Sequence, residues 1–258
     1  MPRVDSLEGL ERAAAGFEVG DLALVIEPPA LEAARRSLEE SGLLLLGEFH
    51  GVGENPLLIR ALMQALGLTA LALEWPEELS PVIGAFVAGG ALANHPLLWL
   101  GDGRITAGHL AVLRERATAG PLALCLFDGT VGVGWNWSRR DEAMAGQILA
   151  AAGDSGLLVV AGNAHTPTVP TNLGIPLGAR LSAQRPGIRD IRVSYGSGRF
   201  YNMRSRQFPG TGDGDGPVCL REQQESLILD LPAATEAIVP QRSLAMPRAL
   251  VTRYMKRA

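Results

Sequence analysis

Short apolar runs recur along the chain, separated by stretches with helical spacing. Residues 43–46 are four leucines closed by Gly47, and residues 69–73, 122–127 and 157–161 repeat the theme. A run that is apolar at nearly every position, and too short for a helix, reads as a strand buried on both faces, the mark of a parallel sheet. Pro28-Pro29 opens a helical pattern to about residue 40, closed by Gly42, and Pro56 opens a second to about residue 66, closed by Gly67. Residues 76–88 and 106–117 read as further helices, with an irregular stretch over 89–105 between them. Ser138, with Asp141 three positions later, has the form of a capping box for a helix reaching about residue 152. Residues 188–194, 199–203 and 226–231 read as later strands, and 129–134 and 210–216 as glycine-rich loops. The run Asp213-Gly214-Asp215-Gly216 lacks the closing glutamate of a calcium loop.

This order predicts an α/β fold: a mostly parallel central sheet flanked by helices, with ligands bound at the C-terminal strand ends. No repeat or composition break divides the chain, so one domain over residues 1–258 is expected. Residues 1–27 would form a peripheral N-terminal segment, and 204–258 a C-terminal strand and tail.

Each of the first four expected strands runs into polar residues able to do chemistry. The first leads into Glu48, His50, Glu54 and Asn55, the second into Glu74, the third into Asp128, and the fourth into Asn163 and His165. In a parallel sheet all four ends share one edge, so two imidazoles and several carboxylates are expected to converge. Glu48 and His50, two apart, share a face of an extended strand, where the carboxylate can fix the imidazole tautomer. His50 is then the expected general base, with Glu48 orienting it. Glu74 would position water or substrate, and His165 would protonate the leaving group or polarise a carbonyl. Arg140, just inside the helix after the third strand, and Asn163 are expected to support an oxyanion. Glu54, Asp128 and Trp75 are expected substrate contacts, and Trp99, Trp135 and Trp137 further candidate apolar walls. The set Glu48, His50, Glu74 and His165 suits a divalent metal equally well by residue type, so both mechanisms stay open. His95 and His109 lie away from the strand ends and read as incidental. Seven arginines between Arg180 and Arg206 read as a solvated face or, alternatively, as a source of one or two guanidinium groups that reach the crevice to hold an anionic group.

Composition narrows the chemistry. The 258 residues are 47% hydrophobic and 19% charged, which suits a folded core. The single lysine, Lys256, rules out a P-loop lysine, a Schiff-base lysine and a kinase-type strand lysine in the body of the chain. The net charge of −4 argues against general nucleic-acid binding. Cys125 and Cys219 form no metal or redox motif. No G-x-S-x-G elbow, H-E-x-x-H motif or complete G-x-G-x-x-G fingerprint occurs, so a hydrolase built here would activate water. With no basic-then-apolar leader and no apolar run of membrane-spanning length, a reduced cytoplasmic protein acting on a small molecule or peptide is expected.

Several motifs occur together in one order. Leu45-Leu46-Gly47-Glu48-Phe49-His50-Gly51 with Glu54-Asn55 resembles the opening motif of the erythromycin esterase-like and ChaN/Tiki-like superfamily. Arg140-Asp141-Glu142-Ala143-Met144-Ala145 resembles its RD-x-x-MA helix, and Gly162-Asn163-Ala164-His165 its N-x-H segment. Asn172-Leu173-Gly174, then Tyr195-Gly196-Ser197-Gly198-Arg199-Phe200, resembles a downstream stretch of the esterase branch. The resemblance implies an α/β fold with its site at the strand ends and a water-activating hydrolase of an ester, lactone or amide, possible in natural-product tailoring. In it the residues matching His50, Glu48, Glu74 and His165 form the site, and no cofactor is required. One residue separates Glu48 from His50, as in the ChaN/Tiki branch. That branch implies two alternatives: a metal-dependent peptidase, or a haem-binding protein without turnover, for which Tyr195 and Tyr201 are the axial-ligand candidates.

Overall fold

The computed structural model describes residues 3–129, 137–153, 156–210, 216–223 and 226–242. In chain order the elements are β1 (Arg3–Val4), α1 (Leu7–Ala15), β2 (Leu24–Ile26), α2 (Pro28–Ser41), β3 (Leu43–Glu48), α3 (Asn55–Leu66) and β4 (Ala70–Pro76). Then follow α4 (Ser80–Val87), α5 (Ala107–Ala119), β5 (Ala123–Asp128), α6 (Trp137–Ala151), β6 (Leu157–Gly162), α7 (Leu177–Gln184) and β7 (Arg189–Asn202). The chain continues through β8 (Arg204–Gln207), β9 (Val218–Gln223), β10 (Ser226–Ala234) and β11 (Val239–Pro240).

The central sheet runs β2-β9-β10-β7-β3-β6-β4-β5, with β8 hairpinned onto β7. Every pair is parallel except β9–β10 and β7–β8. The leucine run explains why β3 lies inside. Leu44 and Leu46 face one apolar layer, Leu43 and Leu45 the other, and all four are buried. Burying both faces stabilises the strand by roughly 1.5–3 kcal/mol per leucine. Helices α2 and α3 end at Gly42 and Gly67, each in the left-handed conformation that glycine adopts without strain.

Several expected boundaries move. The segment expected to be peripheral supplies α1, whose Leu10 and Ala14 are buried, and β2, which pairs with β9 at the sheet edge. Leu7, Leu10 and Ala14 share one helical face, a pattern too short to stand out in a mixed sequence. The expected strands at 188–194 and 199–203 are one long strand, β7, because Gly196 and Gly198 let it run close along β10. The C-terminal part holds β8, β9, β10 and β11. Strand β4 runs through Glu74 to Pro76, and a 3-10 turn over Glu77–Leu79 precedes α4. Ser138 lies inside the first turn of α6, so the expected capping box is not how that helix starts. The loop at 130–134, Trp135 and the run 213–215 lie outside the described residues. No helix of the described residues is long and apolar enough to cross a membrane.

His95 and His109 are structural. His95 Nδ1 accepts from Leu97 N at 3.3 Å, and His109 Nδ1 lies 2.9 Å from Thr106 Oγ1 at the start of α5. Burial, aided by the charge of His50, lowers the His109 pKa to about 3. As pH falls below the unfolded value, the unfolded chain takes up a proton that folded His109 refuses. Stability should then drop by about 1.4 kcal/mol per pH unit between about pH 6.5 and the carboxylate range. Urea denaturation should show this slope flattened in His109→Leu, whereas an unchanged slope would contradict it.

Candidate active site

The strand ends do bring the expected groups together. Glu48 is the last residue of β3 and lies opposite Gly162, the last residue of β6. Glu74 projects from β4 beside them and accepts the Gly162 N–H through Oε2 at 2.8 Å. His50 follows directly from β3. Its Nδ1 lies 3.1 Å from Glu48 Oε1, and its Nε2 lies 3.6 Å from Glu74 Oε2. A Cβ at Gly162 would lie 3.0 Å from His50 Nε2, so any larger residue there would push on that ring.

The second imidazole approaches the same carboxylate from the other side. His165 Nε2 lies 3.7 Å from Glu74 Oε1, so Glu74 stands between the two rings. His165 Nδ1 lies 2.5 Å from Asp141 Oδ1, and Arg140 Nη1 lies 3.1 Å from His165 Nε2. A guanidinium only donates, so Nε2 is the acceptor and the ring proton sits on Nδ1, toward Asp141. The same Arg140 donates to Glu74 Oε1 at 2.5 Å, to Asp128 Oδ2 at 2.9 Å and, through Nε, to Asp128 Oδ1 at 3.1 Å. Arg104 completes the cluster: it pairs with Asp128 and with Asp102, and donates to the Glu74 carbonyl at 3.2 Å.

Glu48, Glu74 and His165 are each no more than 4% exposed, so their charges interact with little screening. For Glu74, burial opposes ionisation, but His165, Arg140 and His50 outweigh it and hold the carboxyl well below its usual range. Burial likewise opposes the charge on His50, yet Glu48 and Glu74 on its two nitrogens raise it to about 10. Burial pushes Glu48 upward against the pull of His50, and its Oε2 is buried without a hydrogen-bond partner. Asp128 is held down by Arg104 and Arg140 against the opposing effect of burial.

The loop carrying His50 is held by its middle residue. Phe49 N donates to Tyr195 Oη at 3.0 Å, Tyr195 Oη donates to Asn55 Oδ1 at 2.9 Å, and Asn55 Nδ2 donates to the Phe49 carbonyl at 2.8 Å. Both backbone polar groups of Phe49, between Glu48 and His50, are thus satisfied, which holds the chain that carries the two side chains.

Other expected residues go elsewhere. Glu54 is not at the crevice: its carboxylate accepts from Thr235 N at 2.9 Å and Thr235 Oγ1 at 2.7 Å, tying α3 to the end of β10. Trp75 is buried rather than a pocket wall, and its indole donates to the Arg104 carbonyl at 2.9 Å. On an all-buried strand, the residue after Glu74 turns to the opposite face and into the core. Asn163 donates its backbone N–H to the Glu48 carbonyl at 2.9 Å, and its buried Oδ1 has no partner. Arg180, Arg185 and Arg199 bond Ser138, the Ser41 carbonyl and Ser205 with Glu236, not the histidines.

Sequence reasoning missed Arg104, which lies in the stretch that looked irregular, and the role of Asp141, which it assigned to a helix start. The adjacent pair Arg140-Asp141 was the available signal: neighbours on a helix point about 100° apart. Here one meets Glu74 and the other the far side of His165.

Two cofactor alternatives fit poorly. Among the described residues no group of three or more His, Cys, Asp or Glu is arranged to hold a metal ion. Of the four residues expected to suit a divalent metal, Glu74 and His165 both bond the Arg140 guanidinium, and Glu48 and His50 bond each other. For haem, the Tyr195 hydroxyl is engaged as above and Tyr201 donates to Gln241 at 2.5 Å, so neither phenol projects as an axial ligand.

No family model and no curated protein matches the chain. Among solved structures, the fold is similar to that of a succinoglycan biosynthesis protein, with TM-score 0.60 and 9% identity over 90% of this chain and 98% of that one. It is also similar to a Bacillus cereus protein, with TM-score 0.52 and 10% identity over 90% of this chain and 99% of that one. The likeness is one of architecture. What the comparisons establish is therefore the fold: a mostly parallel α/β sheet flanked by helices.

Proposed function

We propose that the protein is a hydrolase that activates water against an ester, lactone or amide carbonyl, without a metal. One observation carries this reading: two imidazoles meet one buried carboxylate, and among the described residues their hydrogen-bond and ion-pair partners are carboxylates and a guanidinium. Such a set moves protons but supplies no covalent nucleophile.

In this reading the two histidines exchange the roles expected from sequence. His50, held between Glu48 and Glu74, keeps its proton at neutral pH and acts as the acid. His165, with Asp141 fixing its tautomer, offers a lone pair at Nε2 and acts as the base. In the free protein that lone pair accepts from Arg140. A substrate carbonyl oxygen that takes over the Arg140 Nη1–H frees His165 and stabilises its own developing charge in the same move. Water gives a proton to His165 Nε2, and its oxygen bonds to the carbonyl carbon. The bond to the leaving oxygen or nitrogen then breaks, and His50 supplies the proton to that atom. Glu74, adjacent to Nε2 of both rings, passes the proton from His165 back to His50.

The test is a panel of esters, lactones and peptides assayed with the wild type and with His165→Ala. Turnover should fall at least about a hundredfold in the variant, and a substrate turned over equally by both would overturn the reading. The pH profile is a second check. Activity needs His50 charged, so kcat/KM should persist above the ordinary imidazole range and decline only as pH rises through about 10. A decline as pH rises through the ordinary imidazole range would mean that the required acid is not a His50 held between Glu48 and Glu74.

A further inference from the structure

One turn of α6 surrounds a single imidazole. Trp137, Arg140 and Asp141 stand at positions i, i+3 and i+4 of that helix and so share one face. All three reach His165, which comes from the segment after β6. Asp141 Oδ1 lies 2.5 Å from Nδ1, and Arg140 Nη1 lies 3.1 Å from Nε2. Those two partners take the ring nitrogens and meet the imidazole at its edge. The Trp137 indole takes a face: it stacks on the ring with centroids 4.7 Å apart and planes 30° apart.

The two rings differ in burial. His165 is 3% exposed, whereas Trp137 is 40% exposed. A single exposed aromatic is ordinary on a protein surface. This one has its only ring contact, among the described residues, with His165. The buried imidazole therefore carries over one face an indole that is itself open to solvent. An imidazole held at both nitrogens and on one face is fixed in tilt as well as in direction.

The charges around the ring leave a part for that face to play. Asp141 and, at 3.7 Å, Glu74 attract a positive charge on His165, whereas Arg140 repels it. An aromatic face within about 6 Å attracts a cation, and tryptophan does so most strongly.

We infer that Trp137 is a positioning residue for His165: its indole fixes the tilt of the imidazole and favours the positive charge that the ring takes on when it accepts a proton from water. The proton transfer rests on the hydrolase reading, whereas the grip on the ring stands on the geometry of α6. Trp137 acts through His165 and not on the substrate.

Three variants of the whole protein test this. Trp137→Phe keeps a flat face over His165, Trp137→Leu keeps apolar cover without one, and Trp137→Ala removes both. The position is exposed, and leucine and alanine are good helix formers, so the fold should hold, which denaturant unfolding checks. On a substrate that the wild type turns over, kcat should fall about tenfold in the leucine and alanine variants and stay within about threefold in the phenylalanine variant. KM should stay within about twofold in all three. Unchanged kcat in the alanine variant, full rescue by leucine, or a loss carried by KM would overturn the inference.

Proton NMR gives a readout that needs no substrate. The Nδ1–H facing Asp141 should give a far-downfield resonance, absent in His165→Ala, that exchanges slowly with water in the wild type and in Trp137→Phe. In Trp137→Ala it should broaden or vanish as the ring loosens and water gains access. A resonance unchanged in that variant would overturn the inference. The two proposals fail separately. A resonance lost in Trp137→Ala, with no ester, lactone or peptide hydrolysed by the wild type, keeps the role of Trp137 in holding the ring and discards the hydrolase. Turnover abolished in His165→Ala, with kcat unchanged in Trp137→Ala, keeps the hydrolase and discards the positioning role.

Discussion

Glu74→Gln is expected to lower kcat/KM by about a thousandfold on any substrate the crevice turns over. The change is nearly isosteric, so the side chain stays in place while its charge goes. Three consequences follow from the contacts of that carboxylate. His50 loses one of the two carboxylates that hold its proton, so its pKa falls and less of the acid form is present at neutral pH. His165 and His50 lose the group adjacent to both Nε2 atoms, so the proton has no short return route. Finally, Glu74 accepts from both Arg140 and Gly162 N–H, and an amide must present its NH2 to one of these donors. The alkaline limb of the pH profile should move down with the rate. Loss of rate with that limb still near pH 10 would assign Glu74 to substrate positioning alone.

The second large effect is on stability. Arg140→Met is expected to cost about 3 kcal/mol, the lower end of what breaking a buried ion pair does, because Arg104 still faces Asp128 and Glu74. Methionine fills the apolar stem but leaves Glu74 and Asp128 with one guanidinium fewer. Denaturant unfolding measures the cost, and the double variant Glu74→Gln/Arg140→Met shows its origin. Removing the carboxylate first should make the loss of Arg140 cheaper, with a coupling of about 1–3 kcal/mol. Strict additivity would show that Arg140 acts on the fold through Asp128 and packing and not through Glu74. Activity should also collapse in Arg140→Met, since the guanidinium is the group that trades His165 for the carbonyl oxygen.

How far the site was legible depended on which residues sat at strand ends. Glu48, His50, Asp128 and His165 were placed correctly because a buried parallel strand announces itself as an unbroken apolar run, and the residue where the run stops must lie at the sheet edge. Glu54 and Trp75 failed for complementary reasons. Glu54 is near the edge in sequence, but the hydrogen-bonding needs of Thr235, just past the end of β10 and 181 positions away, took its carboxylate. Trp75 alternates away from Glu74, and only the layer packed on that face reveals that the face is core. Arg104 carried no local signal at all. Its partners Asp128 and Glu74 lie on β5 and β4, and its surroundings lack periodicity.

The chemistry of the histidines shows the same division. The types of group present were written in the chain: two imidazoles, several carboxylates, no lysine in the body and no nucleophile motif. Which imidazole carries a proton was not, because that depends on charges brought within a few ångströms by segments far apart in sequence. Burial alone would strip the proton from His50, as it does from His109, and only Glu48 and Glu74 on its two nitrogens reverse the sign.

The order of apolar runs and helix stops therefore determined by itself the parallel α/β architecture and the edge on which chemistry collects, since both follow from local burial and backbone geometry. The tertiary structure alone decided the pairing of His165 with Asp141, the entry of Arg104, the placing of Arg140 between Glu74 and Asp128, and the exposure of Phe49 and Trp137. Those features depend on distances between side chains from separate strands and helices, and electrostatic energy in a buried site changes steeply with such distances.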